Sequence, residues 1–339
     1  MEKMNLVLVM AGDEEGGLEK HVVELANGLV ARGHAVSVVA HARYADRFDA
    51  RIRVLPVDLA RGRRNLIALW QLWCALRSVG PGVVHAHGSK AASMVGTLLP
   101  WLPALASVAT LHSRKKKVGM FRRFQRVIAV SRISTLNLDH PGVRIIHNGI
   151  VPPAPVTAPA FDAWAGLSGG ARVLAVGRLV PVKGFDVLLR AWQDVPADLA
   201  IAGDGFEQDG LEALIKAGNL QGRVRLLGHR SDVSALMAAA DLFVISSHYE
   251  GCPYTLVEAL HMHLPVVSTA VGAMPEILPA DCLCPPGDAD ALRQLLTRVL
   301  PAGDALRPQF QPVFAHAATA LTFEHLLDQT EAVYGEVRA

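Results

Sequence analysis

The sequence has few cysteines, few aromatic residues and no long apolar run at its start. Its 339 residues include 4 cysteines, which have neither zinc-ligand spacing nor the density of a disulfide-stabilised secreted domain, so we expect reduced thiols and a cytoplasmic protein. The apolar run near the N-terminus is too short for a signal peptide and leads directly into a strand pattern. Cys282-x-Cys284 is interpreted as structural.

Several other features are absent. The chain has no P-loop, no Gly-x-Ser-x-Gly elbow, no zinc-binding helix motif and no Gly-x-Gly-x-x-Gly dinucleotide fingerprint, which argues against the enzyme classes that depend on them. Residues 91–111 carry no charge, but Pro100 and Pro103 interrupt them. We therefore predict helix, turn and buried strand there, and no membrane span.

Acidic residues are scarce in the first half. Residues 1–150 contain 21 Lys+Arg against 10 Asp+Glu, whereas residues 151–339 contain 12 against 21. The asymmetry predicts a basic face on the first half and an anionic partner. Four prolines between Pro152 and Pro159 indicate a linker. The predicted organisation is a first domain 1–150, a linker 151–160, a second domain 161–318, and a C-terminal helix 319–339 that can return to the first domain.

Strand and helix patterns alternate through both halves, which predicts two α/β domains with parallel sheets. The first unit of the pattern is a strand at Leu6–Met10, a helix from about Leu18 to Arg32 and a strand at Ala35–Ala40. The alternation resumes at Arg172–Val176. Two further predictions are helices at Phe121–Arg126 and Thr319–Val337.

Residues 241–276 read as strand, loop, helix and strand, with Glu250 before the helix and Glu258 inside it. Eight residues at the helical rise separate the carboxylates by about 12 Å, farther than the pair of a glycosidase. That spacing suits a long ligand with hydroxyls at both ends and negative charge between them, as in a sugar nucleotide. Pro253 is predicted to be the first helical residue, so that nearby amides face a phosphate. Two solvated glutamates beside a surface helix are the alternative.

Two glycine-bounded loops follow predicted strands. Arg178 and Lys183, on the loop from Gly177 to Gly184, could clamp a diphosphate, and a solvated loop is the alternative. Gly16 and Gly17 end the first loop and would let a phosphate or sugar approach the backbone; a tight turn without a ligand is the alternative.

Two histidines end the strand before Gly88. We expect the rings of His85 and His87 to point to opposite sides, with His87 facing a ligand and His85 packed; a structural role for both is the alternative.

Basic residues dominate positions 114–126. Met120, Phe121 and Phe124 interleave with the charge, which favours attachment to anionic lipid or a phosphorylated acceptor over nucleic acid, because no nucleic-acid motif accompanies them. A solvated basic face is the alternative. The candidate residues are Arg114, Lys115, Lys116, Lys117, Arg122 and Arg123.

These motifs occur in an order that resembles the retaining, nucleotide-sugar-dependent glycosyltransferases of family 4. The resemblance covers roughly residues 5–300 and rests on the combination of motifs. It implies the GT-B fold, in which two Rossmann-like parallel-sheet domains face a cleft. The motifs are Gly16-Gly17-Leu18-Glu19, His85-Ala86-His87-Gly88, His147-Asn148-Gly149, Gly177-Arg178 with Lys183-Gly184, Gly203-Asp204-Gly205 and Glu250-x7-Glu258.

The resemblance also implies roles for particular residues. Glu258 would hold the ribose hydroxyls and Glu250 those of the donor sugar, while Arg178 and Lys183 would neutralise the diphosphate in place of a metal. His87 would lie by the sugar. The remaining donor-binding residues would be Gly16, Gly17, Asn148, Gly177, Cys252, Tyr254, Thr255 and Leu256.

The expected activity is transfer of a hexose or N-acetylhexosamine, without a cofactor, from a nucleotide sugar to a hydroxyl of an anionic glycan or glycolipid such as lipopolysaccharide core. UDP is the expected nucleotide. The expected location is the inner face of the cytoplasmic membrane, peripherally bound. A hydrolysing sugar-nucleotide epimerase and a non-catalytic sugar-nucleotide-binding scaffold are the alternatives. The sequence departs from the family pattern at Cys252 and at Gly272, where two glycines are common.

Overall fold

The computed structural model of the chain describes residues 3–12 and 16–338, which form two compact units. One unit comprises Met1–Asn148 with Glu324–Ala339, and the other comprises Gly149–Phe323. Each contains a parallel sheet with connecting helices, of seven and six strands respectively. The predicted fold of two Rossmann-like domains is confirmed.

The first unit is built on strands whose residues are almost all apolar, as expected for a parallel sheet covered on both faces. Its elements are β1 (Asn5–Met10), α1 (Gly17–Ala31), β2 (Ala35–Ala40), β3 (Arg53–Pro56), α2 (Leu66–Arg77), β4 (Gly82–His87), α3 (Gly88–Leu98), β5 (Leu105–Leu111), β6 (Arg126–Ala129) and β7 (Val143–Ile145).

The strand order of this sheet is β3-β2-β1-β4-β5-β6-β7, so the order reverses between β1 and β4. Ligands of open α/β sheets bind beyond the carboxyl ends of the strands at such a reversal. Met10 and His87, the last residues of β1 and β4, are partners in the parallel register. The sheet therefore directs the residues after Met10 and His87 to the ligand-binding edge.

The second unit repeats the plan. Its elements are β8 (Ala171–Val176), α4 (Phe185–Ala191), β9 (Ala197–Ala202), α5 (Gln208–Ala217), β10 (Val224–Gly228), α6 (Val233–Ala239), β11 (Leu242–Ile245), α7 (Tyr254–His261), β12 (Val266–Thr269), α8 (Met274–Ile277), β13 (Leu283–Cys284), α9 (Ala289–Val299), α10 (Leu306–Gln309) and α11 (Gln311–Ala320). The strand order β10-β9-β8-β11-β12-β13 reverses between β8 and β11.

The last helix, α12 (Phe323–Arg338), belongs to the first unit and is joined to it by charge. Arg32 forms ion pairs with Glu324, Asp328 and Glu331, and Glu331 also contacts the buried His34. Arg126 and Arg144 both bind Glu336. The C-terminal helix predicted over Thr319–Val337 is present but begins later, at Phe323, because α11 ends at Ala320 and Thr322 pairs with Ile150 before α12 begins.

The prediction of a helix at Phe121–Arg126 is also wrong. Gly119–Arg123 form a short 3₁₀ turn, and β6 begins at Arg126. Phe121 and Phe124 both pack in the core of the first unit, so their spacing reflects burial of a turn and of the residue after it. Residues 91–111 do form helix and buried strand, as predicted. Nowhere in the described chain is a helix both long and apolar enough to cross a bilayer.

Candidate functional site

The loops at the strand reversal of the second unit bring Lys183 and Glu250 together. Lys183 follows β8 and Glu250 follows β11, the strand beside it, and the Nζ of Lys183 lies 2.7 Å from Oε1 of Glu250. The hydroxyl of Ser247 donates to the same oxygen over 2.8 Å. Lys183 and Glu250 remain partly accessible, with 22% and 13% of their side chains exposed. The pair can therefore reach a ligand at the sheet edge.

The helix that follows Glu250 begins without a side-chain cap from any described residue. Pro253 has extended backbone angles and is the N-cap, so α7 starts one residue later than predicted, at Tyr254. One face of this helix is apolar and packs inward, with Leu256 and Val257 fully buried. The first-turn amides of such a helix favour an anion, because the helix dipole and the N–H groups both point toward it.

The other donor-site candidates of this unit lie on these loops and in the first two turns of α7. Arg178 is exposed, Glu258 and Thr255 are partly buried, and Cys252 and Tyr254 are buried. Glu258 lies in the second turn of α7, whereas Glu250 precedes the helix.

Glycines let three loops of this edge approach one another. Gly184 has a φ of +63°, and a Cβ there would lie 2.3 Å from the carbonyl oxygen of Ser246. Gly272 has a φ of +54°, and a Cβ there would meet the carbonyl oxygen of Gly251 at 2.1 Å. The family often has two glycines here and this chain has one, Gly272. That one glycine is the residue that the close approach to Gly251 requires. Larger residues would separate the loops that carry Lys183 and Glu250.

The first unit places His85 and His87 on the same face of β4, which overturns the prediction of opposite sides. Their ring centroids are 4.0 Å apart, because side chains two residues apart on a strand share a face. The surroundings of the two histidines nevertheless differ. Both ring nitrogens of His85 are engaged, at 2.7 Å from the hydroxyl of Tyr334 and at 2.7 Å from Oγ1 of Thr110. His87 instead lines a pocket.

That pocket has a volume of about 540 Å³ and lies at the strand reversal of the first sheet. Among the described residues, its wall combines His87 and His112 with five cationic side chains and one carboxylate, that of Glu19. Burial lowers the pKa of both histidines well below the ordinary value, so both are neutral at pH 7. The pocket is suited to an anionic group. The cations are Arg63, Lys90, Lys115, Lys116 and Lys117.

The first loop is only partly described. Asp13, Glu14 and Glu15 lie outside the described residues. Gly16 is the N-cap of α1, Gly17 is its first residue, and no side chain caps this helix among the residues described. The carboxylate of Glu19 extends over both Gly12 and Gly16, at 2.5 Å and 3.2 Å from the positions of added Cβ atoms.

Asn148, the last residue of the first unit before the chain continues into the second, is buried and forms a side-chain hydrogen bond with His21. Sequence reasoning did not identify His21, since a single histidine within a helical pattern gives no local signal. His112 was also missed, although it follows β5 as His87 follows β4.

The predicted basic segment is exposed, but its aromatic residues are not. Arg114 to Lys117 and also Arg122 and Arg123 are exposed, whereas Phe121 and Phe124 are buried and cannot insert into a membrane. Exposed apolar side chains occur instead on α2: Leu66, Ile67 and Trp70 are 80%, 57% and 63% exposed. A pocket lined by Arg63, Arg64, Leu66, Met120 and Arg123, among others, joins α2 to the basic segment.

Asp288 caps α9, since its carboxylate accepts a hydrogen bond from the amide of Ala291.

Two family models match this chain. Residues 15–152 match the family described as Glycosyltransferase Family 4, and residues 170–301 match Glycosyl transferases group 1. Together the two matches cover every strand named above except β1. The chain belongs to the family 4 glycosyltransferases. It is therefore an enzyme of the glycosyltransferase class, as the motif order predicted.

Named relatives of this glycosyltransferase act in different systems. It is 27% identical over 361 residues to one of the subunits of human phosphatidylinositol N-acetylglucosaminyltransferase, and the match covers 95% of this chain and 73% of that protein. It is 28% identical over 268 residues to the lipopolysaccharide core biosynthesis glycosyltransferase LpsE of Rhizobium meliloti, and that match covers 76% of each.

Among solved structures, HepE of Anabaena in complex with UDP and glucose is similar to this glycosyltransferase. The TM-score is 0.82 at 20% identity, covering 98% of this chain and 100% of that one. At this level of identity the likeness establishes the shared GT-B fold.

Proposed function

We propose that this glycosyltransferase moves a hexose or N-acetylhexosamine from a UDP-sugar to a hydroxyl of an anionic glycan or glycolipid, such as lipopolysaccharide core, with retention of anomeric configuration. The observation that carries the donor part is the Lys183–Glu250 pair beside the start of α7. It combines a cation and helix amides suited to a diphosphate with a carboxylate suited to sugar hydroxyls. UDP and glucose in HepE, and the names of the two relatives, support the same substrate classes.

In this proposal, positive charge drives departure of the nucleotide. Arg178 and Lys183, together with the amides near Tyr254, stabilise the charge that develops on the diphosphate as the glycosidic bond breaks. Glu258 binds the ribose hydroxyls and Glu250 binds hydroxyls of the sugar. His87 contributes from the first unit beside the sugar. The acceptor hydroxyl attacks from the side that the diphosphate leaves, which retains configuration.

The proposed transfer needs no metal, because two cationic side chains and the start of a helix perform the neutralisation that a divalent ion performs in other glycosyltransferases. Removal of divalent ions with EDTA should leave the rate unchanged under this proposal.

The acceptor is proposed to be anionic because of the pocket around His87. Five cations against one carboxylate, counted over the residues that the structure describes, give its lining a positive potential, which concentrates anions and speeds their capture. A phosphorylated glycan and a lipid with a phosphate headgroup share this chemistry.

The proposed location is the inner face of the cytoplasmic membrane. The exposed basic segment supports attraction to anionic headgroups, and the exposed side chains of Leu66, Ile67 and Trp70 support shallow insertion of α2.

The test is a thermal-shift panel of UDP-, GDP- and ADP-sugars in EDTA, on wild type and Glu258→Ala. A ligand that binds only the folded protein raises its stability by mass action. We expect a shift with UDP-sugars that is lost in Glu258→Ala, followed by product analysis with an anionic glycolipid acceptor. A shift with another nucleotide class would correct the donor. Sugar-nucleotide turnover without any acceptor would replace the proposal with the epimerase.

A further inference from the structure

Three histidines from separate elements of the first unit lie close together, and two of them, His87 and His112, line the pocket. His21 comes from α1, His87 ends β4 and His112 follows β5. One ring nitrogen of each lies within 4.8 Å of the corresponding nitrogens of the other two. Their ring centroids are 4.9–5.6 Å apart. We call these residues the histidine cluster, His21–His87–His112. Of the three, only His87 has a role in the donor chemistry proposed above.

The hydrogen bonding of the cluster is incomplete. Within residues 3–12 and 16–338, Nδ1 of His21 and Nε2 of His87 are buried and have no hydrogen-bond partner. Buried polar atoms are normally paired, because an unpaired one costs about 1–3 kcal/mol. The neighbouring His85 shows the ordinary solution, with both nitrogens bonded to hydroxyl groups. The unpaired Nδ1 of His21 is therefore available to a ligand of the cluster, whereas the nitrogen of His87 that contacts His112 is Nδ1 and not the unpaired Nε2.

The spacing fits a tetrahedral metal ion. Nδ1 of His87 lies 3.3 Å from Nε2 of His112. Two imidazole nitrogens bound to zinc at about 2.0–2.1 Å with a tetrahedral angle lie about 3.3–3.4 Å apart. His21 must approach this pair by roughly 1.5 Å to reach the same separation, which a small rotation of a side chain can supply.

Some electrostatic features of the cluster favour binding of a metal ion and others oppose it. Burial lowers the pKa of His21 to about 4 and those of His87 and His112 well below the ordinary value, so all three are neutral at pH 7 with lone pairs available for a metal. The five cations of the pocket oppose a further positive charge, and the carboxylate of Glu19 offsets only part of that. Since three histidine ligands must overcome this repulsion, we expect moderate affinity.

We propose that His21, His87 and His112 form a three-histidine site for a divalent transition metal ion of the Zn²⁺ class, with the fourth coordination position open to the pocket. Imidazole ligands favour Zn²⁺, Co²⁺, Ni²⁺ and Cu²⁺ over Mg²⁺ and Ca²⁺. All three ligands belong to the first unit, so the ion should bind in the absence of any sugar donor. Asn148 orients the ring of His21 through its side-chain hydrogen bond, as outer-sphere partners of metal-bound histidines do.

Occupancy would have a consequence for transfer. His87 held by an ion is unavailable to the sugar, so Zn²⁺ should inhibit the enzyme reversibly, with EDTA restoring the rate. This consequence alone rests on the proposed function, because it assumes the role given to His87.

The test of the site is metal binding to the full chain, freed of metal with EDTA and then dialysed. Zn²⁺ is titrated by calorimetry, and Co²⁺ is followed by its visible absorption, which is intense for tetrahedral coordination. We expect one ion per chain with a micromolar dissociation constant, no thiolate-to-cobalt band, and no binding of Mg²⁺.

The variants are His21→Ala and His112→Ala, with His229→Ala as the matched control because that histidine is exposed and lies in the second unit. Each cluster variant should weaken Zn²⁺ binding by about 30-fold or more, since each removes one of three ligands, and the control should bind as wild type. Circular dichroism shows whether each variant is folded. Because the two substitutions lie in different parts of the fold, the test can be completed with either variant if the other fails to fold.

Absence of saturable Zn²⁺ binding, wild-type affinity in both cluster variants, or a thiolate band would overturn the site. None of these results would affect the proposed transfer, which the nucleotide panel tests separately.

Discussion

Lys183 and Glu250 form an ion pair across 67 residues of sequence, with 2.7 Å between Nζ and Oε1. The pairing exists because β8 and β11 are neighbours in the sheet, so that the loops after them meet. Ser247 holds the same carboxylate oxygen. Lys183, which was inferred to bind a diphosphate, and Glu250, which was inferred to bind a sugar, are thus in direct contact in the second unit.

Removing the charge of Lys183 should slow transfer with little change in fold. We expect Lys183→Met to lower kcat/KM by about 100-fold or more, the usual effect of removing one preorganised group that stabilises developing charge. Initial rates over a range of donor concentrations measure it. Lys216→Met, at an exposed lysine at the end of α5, is the control and should match wild type. A kcat/KM for Lys183→Met within a factor of about three of wild type would contradict the assignment.

A methyl group at Gly184 should destabilise the second unit more than one at Gly228. Both glycines have left-handed angles, with φ of +63° and +65°, but a Cβ at Gly184 meets the oxygen of Ser246 at 2.3 Å whereas no described atom lies within 4 Å of one at Gly228. We expect Gly228→Ala to cost about 1 kcal/mol and Gly184→Ala at least about 3 kcal/mol. Urea denaturation of the two variants provides the comparison. Equal losses would show that the loops can separate without cost.

Cys282 and Cys284 should be unreactive in the native protein. Burial is the main cause that raises the pKa of each thiol to about 11, and nearby aspartates add to it. At pH 8 only about one thiol in a thousand is then a thiolate, the reactive form. Iodoacetamide labelling followed by peptide mass spectrometry should find both cysteines unmodified until the chain is unfolded, with Cys74 as the partly exposed internal comparison. Rapid native labelling of either cysteine would refute the prediction.

The exposed apolar side chains of α2 should contribute to membrane binding. We expect Leu66→Ser with Trp70→Ser to weaken binding to vesicles containing phosphatidylglycerol by about tenfold or more, since each buries apolar area in the interface. Phe206→Ser, at a residue 78% exposed in the second unit, is the control. Vesicle sedimentation measures the affinity. Binding that falls only when Lys115, Lys116 and Lys117 become Ser would assign the attachment to charge alone.

Much of the fold was predictable, because parallel strands and their connecting helices carry their pattern locally. The strand Ala35–Ala40 has the predicted bounds. The prediction of a helix at Phe121–Arg126 was wrong because the same apolar spacing occurs both on a helix and in a buried turn. Phe121 and Phe124 have a spacing that also occurs on helices, yet they pack in the core of the first unit from a 3₁₀ turn and from the residue that follows it.

By itself, the sequence determined the α/β class, the order of the loops and the residue types that they carry, because these follow from hydrophobic period, glycine placement and charge along the chain. Only the tertiary structure decided which of those residues meet. The contacts Lys183–Glu250 and His21–His87–His112 depend on which strands are neighbours and on which loops pack together. Pairing at long range depends on sheet order and packing, which local periodicity does not encode.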